Sequence, residues 1–161
     1  MGPRRNVQQL LSILDQAYDH RSWHGTNLRG SIRGLSLKQA AWRPAQGRHN
    51  IWELVVHSAY WKYAARRRLA GEARHSFPLK GSNWFERPIQ TTERAWRSDI
   101  ALLDDMHRSL RAAIASLPPA TLHHRNGAGK DTNFSLIAGV AAHDLYHAGQ
   151  IQLLKRLAPN R

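Results

Sequence analysis

Residues 133–159 read NFSLIAGVAAHDLYHAGQIQLLKRLAP, and this stretch carries a helical pattern together with two histidines one turn apart. Thr132 precedes it as a candidate N-cap, and Pro159 ends it because proline cannot continue a helix. The apolar side chains recur at the spacing of one helix face. They are Leu136, Ile137, Val140, Leu145, Ile151, Leu154 and Leu157. The stretch therefore predicts a long helix at the end of the chain.

Three further amphipathic segments precede this one. The first covers residues 7–18 and is expected to end near His24–Gly25. The second runs from Ile51 to Leu69, with Asn50 as its N-cap and Glu53 as the partner in a capping box. The third starts after Thr91 or Thr92 and continues to about residue 117, where two prolines stop it. A single helical turn, capped by Ser36, is predicted up to residue 41.

Four long amphipathic helices, without an alternating strand or an internal repeat, predict an all-α fold. We expect one four-helix-bundle domain over residues 1–161, because 161 residues can bury one sizeable core. Residues 71–90 are rich in glycine and proline and form a long connection between helices two and three. Such a connection is either a crossover or a lid over a site.

The composition excludes several kinds of functional site. Hydrophobic residues make up 42% of the chain and it contains six tryptophans, which argues against disorder. The absence of cysteine excludes disulfides, thiolate metal sites and a cysteine nucleophile. No apolar run approaches the length of a membrane span, and the N-terminus lacks a signal-peptide core. We therefore expect a cytoplasmic protein without a membrane partner.

The formal net charge of +13 suggests nucleic acid or another anion as a partner. The cations are mostly arginine and are dispersed along the whole chain, as on a solvated surface. Neither a recognition helix nor a sustained basic stripe accompanies them. A nucleic-acid partner is therefore disfavoured, and small-molecule ligands are expected.

Three histidines stand in apolar surroundings. His143 and His147 lie four residues apart in the last predicted helix, so both rings can face one point. His57 occupies a similarly apolar run of helix two. A second pair, His20 and His24, lies beside charged residues at a helix end instead. Three imidazoles meeting across two helices can bind zinc with one coordination position open, although buried histidines satisfied by ordinary hydrogen bonds remain an alternative.

The string HDLYHAGQI at residues 143–151, together with NIWELVVH at residues 50–57, resembles the DinB/YfiT-like superfamily. The motifs WHG at residues 23–25 and WRP at residues 42–44 match in order, so the resemblance covers nearly the whole chain. It implies a four-helix bundle that carries one divalent metal ion, zinc or nickel, on three histidines. On this chain those ligands are His57, His143 and His147.

The resemblance also implies a metal-dependent enzyme, since characterised relatives include S-transferases that use bacillithiol and isomerases that use mycothiol. A metal with an open position lowers the pKa of a bound thiol, so that the protein needs no cysteine of its own. These low-molecular-weight thiols are anionic, and a basic surface favours their capture. The same metal can activate water for hydrolysis, or merely stabilise a non-catalytic protein. Relatives suggest a homodimer.

Several neighbours are candidates for supporting roles. Glu53 can accept the second ring N–H of His57, act as a general base, or only cap its helix. Gln150 stays on the ligand face and can contact substrate, hold a water, or hydrogen-bond within the core. His24 and His49 lie near the open end of the predicted site, and either can be a fourth ligand.

Side chains off the ligand face are assigned differently. Asp144 points away from the ligands and is expected to form its bonds elsewhere, and Tyr146 is expected in the core. Of the tryptophans near loops, Trp23 and Trp84 are candidates for walling a pocket.

Overall fold

A computed structural model describes residues 3–73, 77–125 and 130–159 of the chain. Over these residues the molecule is helical, with two isolated β-bridges and no strand. The helices are α1 (Pro3–Tyr18), α2 (Leu28–Ser31), α3 (Leu37–Ala41), α4 (Ile51–Leu69), α5 (Glu93–Ala115) and α6 (Asn133–Leu157), with a 3₁₀ turn at Pro119–Thr121. The all-α prediction is confirmed for this part of the chain.

The predicted starts of α3, α4, α5 and α6 are confirmed, and each has a side-chain cap. Helix α1 instead begins at Pro3, earlier than the predicted residue 7. Asn50 accepts a hydrogen bond from the backbone N–H of Glu53, whose carboxylate in turn accepts from the N–H of Asn50. Thr92 caps α5 and Thr132 caps α6. Ser36 forms a complete capping box on α3. Each cap satisfies an N–H that has no partner within its own helix.

The first helix ends earlier in the chain than the predicted His24–Gly25. Helix α1 ends at Tyr18, where the N–H groups of Asp19 and His20 both bond to the carbonyl of Asp15. Asp19, His20 and Arg21, which follow Tyr18, are polar and exposed, so a helix continued through them would bury no further apolar surface. The chain then turns back, and Asn27 caps the short helix α2.

Helix α4 lies at the centre of the fold. It packs against α5 and α6, and α3 also contacts it. Most of its side chains are buried, including Trp52, Val55 and Val56, because neighbours cover more than one face. Helix α1 packs against α6 and α5 around an apolar cluster that contains Leu14 and Leu110. This cluster is separate from the one that includes Trp52, Val55 and Val56. This arrangement places the middle of α4 directly beside the middle of α6.

A buried ion pair also joins these two helices. Lys62 of α4 donates to the carboxylate of Asp144 of α6, and both side chains are wholly inaccessible to solvent. The Lys62 ammonium also lies over the ring of Tyr18, 4.7 Å from its centroid. Burial lowers the pKa of Lys62 and raises the pKa of Asp144, and the attraction between the two opposes both shifts.

Tyr146 corrects a sequence-based expectation. Its side chain is 64% exposed rather than in the core, because this face of α6 is uncovered next to a cavity. Among the helices that the structure describes, none has both the length and the apolar character needed to cross a membrane.

Candidate metal centre

The three histidines singled out in the sequence meet between α4 and α6. The Nε2 atom of His143 lies 3.1 Å from Nε2 of His57 and 3.0 Å from Nε2 of His147. One ring nitrogen of each residue lies within 4.8 Å of the others, and all three side chains are largely shielded from solvent. Within the described residues, this is the group of histidine and acidic side chains that could hold a metal ion.

The outer hydrogen bonds fix the protonation of two rings. Nδ1 of His57 donates to the backbone carbonyl of Asn83 at 2.8 Å, and Nδ1 of His147 donates to Oε1 of Gln150 at 2.7 Å. A carbonyl oxygen only accepts, so each Nδ1 carries the proton and each Nε2 presents a lone pair. Metal-binding histidines are commonly oriented in this way through their second nitrogen.

The contacts around His143 fit a cation better than a hydrogen-bond network. A neutral imidazole has one N–H, so Nε2 of His143 can donate to only one of its two neighbours. In the other close contact, the lone pair of Nε2 of His143 or its proton-free neighbour would face a second lone pair, because no proton lies between the two nitrogens. A divalent ion among the three Nε2 atoms would satisfy all of them, and imidazole nitrogen is a ligand that zinc and nickel accept.

Burial keeps these imidazoles neutral near pH 7. It lowers the pKa of His57 to about 4 and that of His143 to about 3, and nearby imidazoles add to both effects. Burial also lowers the pKa of His147, although the bond to Gln150 opposes that shift. Neutral rings retain the lone pairs that a metal requires.

Residues of the long connection cover one side of the centre. The indole of Trp84 stacks on the ring of His57, with centroids 3.8 Å apart and an angle of 11°. Asn83 adopts a left-handed φ of 64°, which asparagine tolerates, and its side-chain oxygen accepts from Nε1 of Trp61 at 2.9 Å. The described part of this connection therefore contributes directly to the site.

Glu53 lies outside the three-histidine cluster. Its buried carboxylate accepts from the Arg43 guanidinium at 3.0 and 2.5 Å and from Nδ1 of His49 at 2.9 Å. The expectation that Glu53 accepts from His57 is wrong, since Asn83 provides that acceptor. The capping role is confirmed. Burial acts to raise the pKa of Glu53, but its hydrogen bonds with Arg43 and His49 outweigh burial and lower it.

A cavity of about 530 Å³ opens beside the centre. His147 and Gln150 line one side of it, and Trp84 and His49 line another. The remaining wall is mostly apolar: Pro44, Ala45, Leu54, Tyr146, Leu153, Leu154 and Leu157, with Arg48 as the charged member. Gln150 thus both orients His147 and faces the space that a ligand would occupy.

Other candidates are placed apart from the cluster. His24 lies on the loop after α1, where Nδ1 is 3.4 Å from the hydroxyl of Ser22. Trp23 is 99% exposed, so of the two loop tryptophans only Trp84 walls this cavity. Asp144 bonds away from the ligands, as predicted. No pattern in the sequence predicted that Trp84 stacks on His57 or that the carbonyl of Asn83 accepts its hydrogen bond.

Comparison with known families identifies a match. The family model described as the DinB superfamily matches residues 20–151, a span that includes all three clustered histidines. No curated protein and no solved structure gives a significant match to the chain.

Proposed function

The chain belongs to the DinB superfamily, and from this membership and its three-histidine cluster we propose a divalent-metal-dependent enzyme of the thiol S-transferase type. His57, His143 and His147 would hold the ion, zinc or nickel. When bound, the ion supplies a Lewis acid that favours the thiolate form of a low-molecular-weight thiol near neutral pH. The four long helices would form the four-helix bundle that is expected of this superfamily.

The observation that carries the proposal is the convergence of the three Nε2 atoms. Two of them present lone pairs, because Asn83 and Gln150 hold the opposite nitrogens as donors. The rings come from two long helices whose relative position is set by the buried core, so the cluster is preorganised. A site with three protein nitrogens leaves a coordination position for an exogenous ligand.

The cavity beside His147 supports small-molecule substrates. Its apolar wall suits a hydrophobic electrophile, while Arg48 offers a positive charge near the same space. The net charge of +13 would favour the approach of an anionic thiol. The chain has no cysteine, so the nucleophilic sulfur has to come from a separate molecule.

Elemental analysis of the purified full chain tests the centre. We expect about one equivalent of zinc or nickel in the unmodified protein, with loss of the metal in His57→Ala and His147→Ala. The matched control is His20→Ala, an exposed histidine paired with Asp19. Full metal retention in both ligand variants would exclude the proposed centre.

The reaction class needs a second assay on the metal-loaded protein. Glutathione, bacillithiol and mycothiol would be paired with 1-chloro-2,4-dinitrobenzene, and a nitrophenyl ester would report hydrolysis. Thiol conjugation that disappears in His147→Ala supports the S-transferase proposal. Ester hydrolysis without conjugation would indicate a hydrolase, and metal binding without either activity would indicate that the metal only stabilises the fold.

A further inference from the structure

A further histidine, His49, lies beside the metal centre and is paired with a carboxylate. His49 immediately precedes the N-cap of α4, and its Nδ1 lies 2.9 Å from Oε2 of Glu53 in the first turn. The Glu53 side chain is 6% exposed and that of His49 is 45% exposed. The carboxylate is therefore held inside the fold while the imidazole reaches the surface of the cavity.

The partners of Glu53 determine which nitrogen of His49 is protonated. The bidentate contact with Arg43 and the N–H of Asn50 both favour an ionised carboxylate. An ionised carboxylate only accepts hydrogen bonds, so Nδ1 of His49 must be the donor. In the neutral ring, Nε2 then has a free lone pair. Among the described residues, none donates a hydrogen bond to this Nε2.

Stacking fixes the plane of the His49 ring. Trp84 lies parallel to it, with centroids 3.6 Å apart and an angle of 4°. The other face of the same indole stacks on His57. His49 is therefore separated from the metal centre by one indole ring, and it borders the same cavity as His147.

We propose that His49 is the general base that accepts the proton of the thiol in this cavity, and that Glu53 is its positioning residue. This inference rests on the proposed function. The S–H bond breaks, its electron pair stays on sulfur, and the proton moves to Nε2 of His49. The proton then leaves to water at the open side of the cavity, or to the leaving group as the S–C bond forms. No oxidation or reduction is involved.

The charges around His49 are compatible with this role. Glu53 stabilises the imidazolium that forms, as a carboxylate does for a catalytic histidine in hydrolases. Arg43 lies beyond that carboxylate and is neutralised by it. Arg48, the adjacent residue, also lines the cavity.

The variant His49→Phe separates base chemistry from packing, because a phenyl ring can still stack on Trp84. The full chain would be loaded with cobalt(II), with 2-mercaptoethanol as the probe thiol. The rate at which the sulfur-to-cobalt charge-transfer band appears would be followed by stopped flow. General base catalysis contributes about 10² to 10⁴ in rate, so we expect at least a tenfold slower rate near pH 7. The rates should converge at a pH where the thiol ionises unaided.

The matched control is His20→Phe, which removes an exposed histidine whose Nδ1 lies 2.6 Å from a carboxylate oxygen of Asp19. It should leave both the rate and its pH profile unchanged. Glu53→Gln keeps an acceptor and a capping group, and we expect a smaller loss of rate than in His49→Phe. His49→Gln provides a second base-free variant, and cobalt content verifies that each variant retains the centre.

Nitrogen-15 NMR of the metal-free chain gives a readout that does not depend on the reaction. We expect His49 protonated on Nδ1, with an unprotonated Nε2. An Nε2-protonated ring, or a pH profile in both base-free variants that matches that of the unmodified chain, would overturn the role of His49 alone. Failure of the unmodified chain to bind cobalt, or to give a thiol band at any pH, would overturn the proposed function instead.

Discussion

The imidazole of His57 is held by the backbone carbonyl of Asn83, 2.8 Å from Nδ1. This bond joins the central helix α4 to the long connection that follows it, and it sets the protonation of the ring. The next residue, Trp84, stacks on the same imidazole. A change at the centre should therefore be detectable through this tryptophan.

Metal binding should quench the fluorescence of Trp84. Titration of the apo chain with cobalt(II) or nickel(II) would report the quench, because both ions quench an adjacent indole. The variant Trp84→Phe should lose more of the quench than Trp23→Phe, which replaces a tryptophan that is 99% exposed. Equal losses in the two variants would contradict the stacking on His57.

Gln150→Leu should weaken metal binding by about 10- to 100-fold, the usual cost of removing a partner that orients a ligand. The Nδ1 of His147 loses its acceptor, so the ring is free to rotate or change tautomer. Competition with a coloured chelator would measure the affinity. Gln152→Leu is the control, since a residue two positions along a helix faces a different direction. The same affinity in both variants would argue against the orienting role.

The metal-free protein should lose stability as the pH falls from about 6.5. The pKa values of His57 and His143 are lowered to about 4 and about 3 in the folded state. Between pH 6.5 and these values the unfolded chain therefore binds more protons, and the free energy of unfolding decreases with falling pH. Urea titrations at a series of pH values would measure it. Bound metal should shift the acid unfolding transition to lower pH. It occupies the ring nitrogens that would otherwise be protonated, so a higher proton concentration is needed to displace it.

Lys62→Met should destabilise the fold by about 3–5 kcal/mol, because it leaves Asp144 buried without its counter-charge. The double variant Lys62→Met, Asp144→Leu should recover much of that loss, since it removes both buried charges. Chemical unfolding of the single and double variants measures the difference. A fully additive double variant would show that the two side chains do not interact.

A substitution at the half-exposed His49 should affect stability far less than one at the buried Lys62. His49→Phe should change the free energy of unfolding by less than about 1 kcal/mol, because the ring keeps its stacking on Trp84 and loses one hydrogen bond. Thermal unfolding would measure the change. A larger loss would mean that the contact with Glu53 anchors the start of α4.

Local sequence patterns determined the helices. Asn50, Thr92 and Thr132 cap helices where their residue types predicted caps, because a side-chain oxygen next to an apolar periodic run satisfies otherwise unpaired N–H groups. The spacing of His143 and His147 likewise fixed that both rings share a face of α6. His57 could be placed with them only as a candidate, through its apolar surroundings and the superfamily resemblance.

The tertiary structure decided what surrounds those rings. Nothing local to Asn83 or Trp84 indicates that one accepts from His57 and the other stacks on it, because such contacts depend on how the connection folds back over α4. The same holds for Glu53, whose helix spacing allowed a bond to His57 but whose carboxylate instead meets Arg43 and His49. Sequence periodicity encodes the face of a helix on which a side chain lies. The partner on that face is set by packing between segments distant in the chain.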